Sequence, residues 1–118
     1  FIAMTKIKIR TISVVAGASL LAVCASLAYA GDANYEVRLL DHHFVPQNLV
    51  VTANQPLVVT VINSSSETIE FESFKLNREK AISPGETMIV HLPALSAGSY
   101  DFYDDFHQDV PEGSIVAK

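Results

Sequence analysis

Three short stretches of the chain hold side chains whose types and spacing suit chemistry. The first is Asp104-Asp105-Phe106-His107, with two carboxylates and an imidazole within four positions. The second is Glu70-Phe71-Glu72. In a strand, alternate residues leave the same face, so both carboxylates would project together, about 7 Å apart along the chain. The third is Asp41-His42-His43, where neighbouring strand residues point to opposite faces, so at most one of the two histidines joins a given site. Oxygen and imidazole donors of this kind hold hard or borderline cations. Each stretch also has a plainer reading, as a solvated acidic turn, a wet outer sheet face or a surface histidine. Met88 and His91 read simply as strand residues. No phosphate-cradling glycine loop, HExxH helix or nucleophile–histidine motif is present. The single cysteine excludes a disulfide framework and any cysteine-rich zinc or iron–sulfur site.

The elements that must carry these residues are short strands. Leu57–Ile62 is the most strand-like run, rich in β-branched residues. Thr68–Phe74 alternates, with Ile69 and Phe71 on one face and Glu70 and Glu72 on the other. Tyr35–Leu40, Asn48–Thr52, Thr87–Leu92, Ser99–Tyr103 and Ser114–Ala117 read as further strands. Asn63–Ser66, Ser83–Glu86 and Pro93–Gly98 separate them as loops and turns. Lys75–Lys80 is read as a helical turn. Seven or eight strands without helical periodicity predict an all-β domain, an antiparallel β-sandwich with Greek-key links. Its core is expected to rest on Val59, Val61, Ile69, Phe71, Phe102 and Val116.

Residues 1–30 read as an N-terminal signal helix ahead of this domain. Translation is taken to start at Met4, with Phe1–Ala3 an artefact before it. Lys6, Lys8 and Arg10 form a basic region, an apolar stretch follows, and Ala28-Tyr29-Ala30 supplies the small residues signal peptidase requires. Cleavage there leaves residues 31–118 as one domain in the periplasm. An uncleaved anchor is the alternative, and the only route by which the membrane becomes a partner, since about 18 apolar residues just span a bilayer. Of the 118 residues, all 13 acidic ones lie beyond residue 30, against five basic ones there, Arg38, Lys75, Arg78, Lys80 and Lys118. So acidic a domain is a poor partner for nucleic acid and a better one for cations or basic protein faces. Cys24 departs with the signal.

Read as one unit, Tyr100-x-Phe102-x-Asp104-x-x-His107, followed by Gly113-x-Ile115, resembles the last strand pair of cupredoxins. Phe44-x-Pro46, Leu49-x-Val51, Leu57-x-Val59-x-Val61-x-Asn63 and Ser83-Pro84-Gly85 fall in the same order upstream. The resemblance implies a copper-protein fold without an intact blue-copper ligand set. Asp104 stands where the copper thiolate belongs, and His107 matches the C-terminal histidine. Pro111 or Glu112 takes the methionine position, and Glu70 the upstream histidine position. Without a thiolate there is no type-1 blue site. Asp41-His42-x-Phe44, Glu70-Phe71-Glu72-Ser73, Arg78-Glu79-Lys80 and Asp105-Phe106-His107 resemble more closely the cysteine-less cupredoxin-like proteins of bacterial iron uptake. These are the cupredoxin domain of Efe-type systems and the stand-alone cupredoxins of Ftr-type systems.

That resemblance implies a periplasmic metal-binding accessory of iron or copper uptake, holding Cu(II) or iron and assisting Fe(II) oxidation beside an iron permease complex or a periplasmic iron-binding protein. Its expected ligands are Glu70, Glu72, Asp105 and His107, meeting at one end of the sandwich. His42, Glu79 and Asp104 are secondary candidates, the first two for a separate site. The competing reading is a metal-free acidic β-sandwich that binds a partner protein, with Glu72 and Glu79 paired to Lys75, Arg78 or Lys80.

Overall fold

The structure, a computed structural model, describes residues 31–118; residues 1–30, read above as a signal helix, lie outside them. The described residues form nine strands and no helix: β1 (Ala33–Leu40), β2 (His43–Val45), β3 (Asn48–Val51), β4 (Leu57–Asn63), β5 (Ile69–Ser73), β6 (Arg78–Ile82), β7 (Thr87–Leu92), β8 (Gly98–Asp104) and β9 (Gly113–Ala117). They pack as two sheets, one ordered β2-β1-β4-β7 and the other β3-β9-β8-β5-β6. The expected all-β sandwich is therefore present.

Three details depart from expectation. Both sheets are mixed rather than antiparallel, because β1 pairs β4 in parallel and β3 pairs β9 in parallel. The chain leaves the first sheet after β2, runs through β3 in the second and returns as β4, so β4 re-enters in the direction of β1. The stretch Lys75–Lys80 is not helical. Phe74–Asn77 is a turn, with Asn77 at positive φ, and Arg78 starts β6 as the return arm of a hairpin on β5. Val116 is only half-buried, and Ile115 and Ala117 take the core positions of β9.

The inner faces follow the period-2 pattern. Leu57, Val59, Val61 and Asn63 of β4 point inward, as do Ile69, Phe71 and Ser73 of β5. Phe102, fully enclosed, is the centre of the core. Phe44 meets it edge-on at 4.9 Å between ring centroids and Phe71 at 5.1 Å, geometries that add to simple area burial. Gly113 leaves room for this ring: a Cβ there would run into the Phe102 side chain and lie 2.9 Å from the Gln47 carbonyl.

Asn63 organises the end of the sandwich that carries the chemistry. Fully buried at the end of β4, its Nδ2 donates to the Glu67 and Ile82 carbonyls (2.7 and 2.8 Å), and its Oδ1 accepts from the Ser65 backbone and hydroxyl (3.0 and 2.6 Å). The Ser64 amide donates to the Leu39 carbonyl (2.9 Å), drawing the β4–β5 loop onto the end of β1.

Gly113→Ala is expected to destabilise the fold by about 1–3 kcal/mol through overpacking against Phe102. Urea denaturation measures it, and an unchanged midpoint would mean that the ring has space to move.

Candidate metal centre

Glu70 and Glu72 leave the outer face of β5, opposite the buried Ile69, Phe71 and Ser73. Strand pairing builds the rest of the cluster. Glu72 lies directly across from Glu79 of β6 on one side and from Tyr103 of β8 on the other. Glu70, two residues along, reaches the same place, and one carboxylate oxygen from each of Glu70, Glu72 and Glu79 falls within 4.8 Å of the others. Ser73 stiffens the platform: its buried hydroxyl donates to the Asp101 carbonyl (2.7 Å) and accepts from the Leu76 amide (3.2 Å).

Like charges directly opposed across a strand pair are destabilising. Among the described residues no basic side chain forms an ion pair with any of the three glutamates. Arg78 donates to the backbone carbonyls of Leu76, Asn77 and His91, and Lys75 to that of Ser99, with Asp101 nearby. The surface pairing of Glu72 and Glu79 with these cations is thus not what the fold makes. A proton relieves the repulsion instead. The hydrogen bond between Glu70 and Glu79, then desolvation, then the charges of Glu79, Asp105 and Glu72 push the Glu70 carboxyl up to about 7. Partial burial and a hydrogen bond to Glu72 raise the Tyr103 phenol.

Asp104 faces the other way. It ends β8 on the inner side, directly opposite Phe71, and is 1% exposed. Its Oδ1 accepts from the backbone amides of Glu70 (3.0 Å) and Phe106 (3.1 Å), and its Oδ2 accepts from His107 Nδ1 (2.7 Å). Buried carboxylates persist when their lone pairs are filled in this way. The other ring nitrogen of His107, Nε2, lies 2.8 Å from Glu67 Oε2. The hydrogen bond to Asp104 raises the His107 pKa; desolvation opposes it, and the charges of Asp104 and Glu67 reinforce it.

The expected ligand set is therefore divided. Glu70 and Glu72 share a cluster with Glu79, and Asp105 stands beside it, its amide on the Glu70 carbonyl (2.9 Å) and its charge acting on Glu70. His107 belongs instead to a second cluster with Asp104 and Glu67, at the end of the sandwich. The divider is strand alternation: Glu70 is on the outer face of β5, while Asp104 and the turn after it are held on the inner side. His42 and Asp41, both at positive φ in the β1–β2 turn, line the same pocket as His107. Glu67 was not foreseen. It sits in a serine-rich loop with no strand pattern to orient it, and side-chain bonds from Asn63 and Ser65 hold its backbone at the pocket.

Comparison with known proteins settles the family. The profile of the cupredoxin-like domain matches residues 13–117. The chain belongs to the cupredoxin-like family. An uncharacterised protein of Rickettsia prowazekii (strain Madrid E) is 38% identical over 82 residues, 69% of this chain and 65% of that protein, so the match spans just under two thirds of the relative's length. Three solved structures show the same fold at low identity. Auracyanin A, a blue copper protein of Chloroflexus aurantiacus, is 16% identical, with a TM-score of 0.61 over 75% of this chain and 100% of that one. A purple cupredoxin of Nitrosopumilus maritimus is 18% identical, with a TM-score of 0.58 over 74% and 100%. The metal-binding domain of the Cu(I)-exporting ATPase CopA of Streptococcus pneumoniae D39 is 11% identical, with a TM-score of 0.63 over 72% and 84%.

The donor set of this cupredoxin-like domain does not fit a blue copper centre. No thiolate is present in the described residues, and the lone pairs of Asp104 are committed to two amides and a histidine. Three outer-face carboxylates suit a harder cation.

The raised carboxyl has a consequence for stability. Unfolded, Glu70 ionises near 4.5; folded, it keeps its proton to about 7. Its contribution is complete below the unfolded value and is lost as pH rises towards the folded one. His107, raised from 6.5, contributes fully below that value and loses its share as pH rises through its folded pKa. Both effects make metal-free protein less stable towards alkaline pH. Glu79→Gln is expected to flatten the Glu70 part of this slope and to raise stability at about pH 8. Urea denaturation across about pH 5–8 checks it; a parental slope in the variant would dissociate Glu79 from the raised carboxyl.

Proposed function

We propose that this cupredoxin-like domain is a periplasmic metal-binding accessory of iron or copper uptake, with Glu70, Glu72 and Glu79 as the ligands and Asp105 beside them. The observation that carries the reading is the unneutralised glutamate triad. Carboxylates at this spacing repel one another, and among the described residues no basic side chain pairs with them. A bound cation would convert that repulsion into coordination. Side-chain ligands on two paired strands are also better fixed than ligands on loops. The oxygen donors favour Cu(II), Fe(III) or Mn(II) and disfavour Cu(I). The export signal supports a periplasmic setting. The resemblance to iron-uptake cupredoxins supports hand-over to an iron permease complex or a periplasmic iron-binding protein, with Fe(II) oxidation assisted only in such company.

Glu70→Gln and Glu79→Gln are each expected to lower Mn(II) and Cu(II) affinity at least about tenfold, or about 1.4 kcal/mol, while His91→Ala leaves it unchanged. Affinity is also expected to fall as pH drops below about 7, where the Glu70 proton competes with the ion. The Cu(II) form is expected to lack the intense visible band of a copper–thiolate bond. Calorimetric titration with circular dichroism decides the point. Parental affinity in both folded glutamine variants would remove the triad and favour the metal-free acidic module.

A further inference from the structure

The two outer faces of the sandwich differ in charge. On the first sheet, Val58, Thr60 and Ile62 of β4 lie beside Ile89 of β7, and the charges of Glu36 and Arg38 cancel in an ion pair. On the second sheet, alternation places Glu70 and Glu72 of β5, Glu79 of β6 and Asp101 of β8 on the outer face. Arg78 and Lys80 alternate to the other side of β6. Phe74 follows directly at the end of β5 and is 82% exposed, more than any other large apolar side chain among the described residues. It stands between two shallow hollows. One, of about 190 Å³, is shared with Asp101, Tyr103 and Glu112; the other, of about 140 Å³, with Glu72 and Glu79. The cations at the margin are turned to backbone carbonyls, Lys75 to Ser99 with Asp101 at 3.9 Å, and Arg78 to Leu76, Asn77 and His91.

We propose that the outer face of β5, β6 and β8 is a docking surface for a basic segment of a partner protein, with Phe74 as its anchor and Glu72, Glu79, Asp101 and Glu112 as its charged rim. An aromatic side chain enclosed by a polar rim is the usual anatomy of a protein interface. An inorganic cation would satisfy the carboxylates and leave the ring in water. A second copy is repelled, since residues 31–118 hold 13 acidic against five basic side chains. A chain segment with lysine or arginine flanking an apolar side chain meets both needs, and its charge also speeds the encounter. The surface stands on exposure and charge, and does not depend on whether the triad holds a metal. A partner seated on Phe74 nevertheless lies against Glu72 and Glu79, and so reaches the triad directly.

The test uses the full chain, labelled with nitrogen-15 and free of metal, and an acetylated, amidated hexapeptide of alternating lysine and leucine as the probe. The peptide is expected to shift the amide signals of Glu72, Phe74, Asp101 and Tyr103, and less so as salt is added. A second peptide with glycine in place of leucine keeps the charge and should bind at least about tenfold more weakly. Phe74→Ser should lower affinity for the leucine peptide by a similar factor, and Phe74→Leu should restore part of it. Asp101→Asn with Glu112→Gln should weaken binding and flatten its salt dependence. Ile89→Ser, on the first sheet, should leave binding unchanged. The docking surface is wrong if the leucine peptide at about 1 mM moves none of these signals. It is equally wrong if the two peptides bind alike, or if folded Phe74→Ser binds as the parent does. Failure of the triad shows elsewhere, as parental Mn(II) affinity in Glu70→Gln and Glu79→Gln, and Phe74→Ser should leave Mn(II) affinity unchanged.

Discussion

The buried carboxylate of Asp104 is the interaction on which this end of the molecule depends. One oxygen ties the start of β5, through the Glu70 amide, to the turn after β8, through the Phe106 amide. The other oxygen aims the ring of His107. A carboxylate so enclosed is costly unless it is hydrogen-bonded, and three bonds satisfy both of its oxygens. Because these bonds converge from β5, the β8–β9 turn and a histidine, a change at Asp104 would disturb two donor clusters at once. Asp104 is the internal brace of both.

Around that brace the fold concentrates negative charge without balancing it. The Glu72–Glu79 pairing is a local conflict, two like charges placed opposite each other by the register of a well-formed hairpin. Folded sequences keep most local choices consistent with the global structure, and exceptions concentrate at functional sites. The hydrogen bond with Glu79 that raises the Glu70 carboxyl relieves part of that repulsion. At the end of the sandwich, His107 lies between Asp104 and Glu67, at 2.7 and 2.8 Å.

The family assignment and the chemistry answer different questions. Likeness to auracyanin, the purple cupredoxin and the CopA domain, at 11–18% identity, establishes a shared sandwich. It does not transfer their copper sites, since at this identity the likeness shows the fold alone.

Much of this was legible in the residues alone. Alternation in Ile69–Ser73 places Glu70 and Glu72 on one outer face because a strand's period is two, whatever it pairs with. β-Branched runs between turn residues determined an all-β sandwich, and the ordered motifs from Phe44 to His107 determined its family. What alternation cannot supply is the identity of a strand's neighbours. Only pairing of β5 with β6 and β8 showed that Glu79 completes the glutamate cluster, with Tyr103 on the far side of Glu72. Only the tertiary structure showed that His107 leaves that cluster for Asp104 and Glu67. Its placement depends on loop closure through Asn63 and on which side of the sheet the chain turns after β8. Those are long-range contacts, set by packing between residues distant in sequence, and no local pattern encodes them.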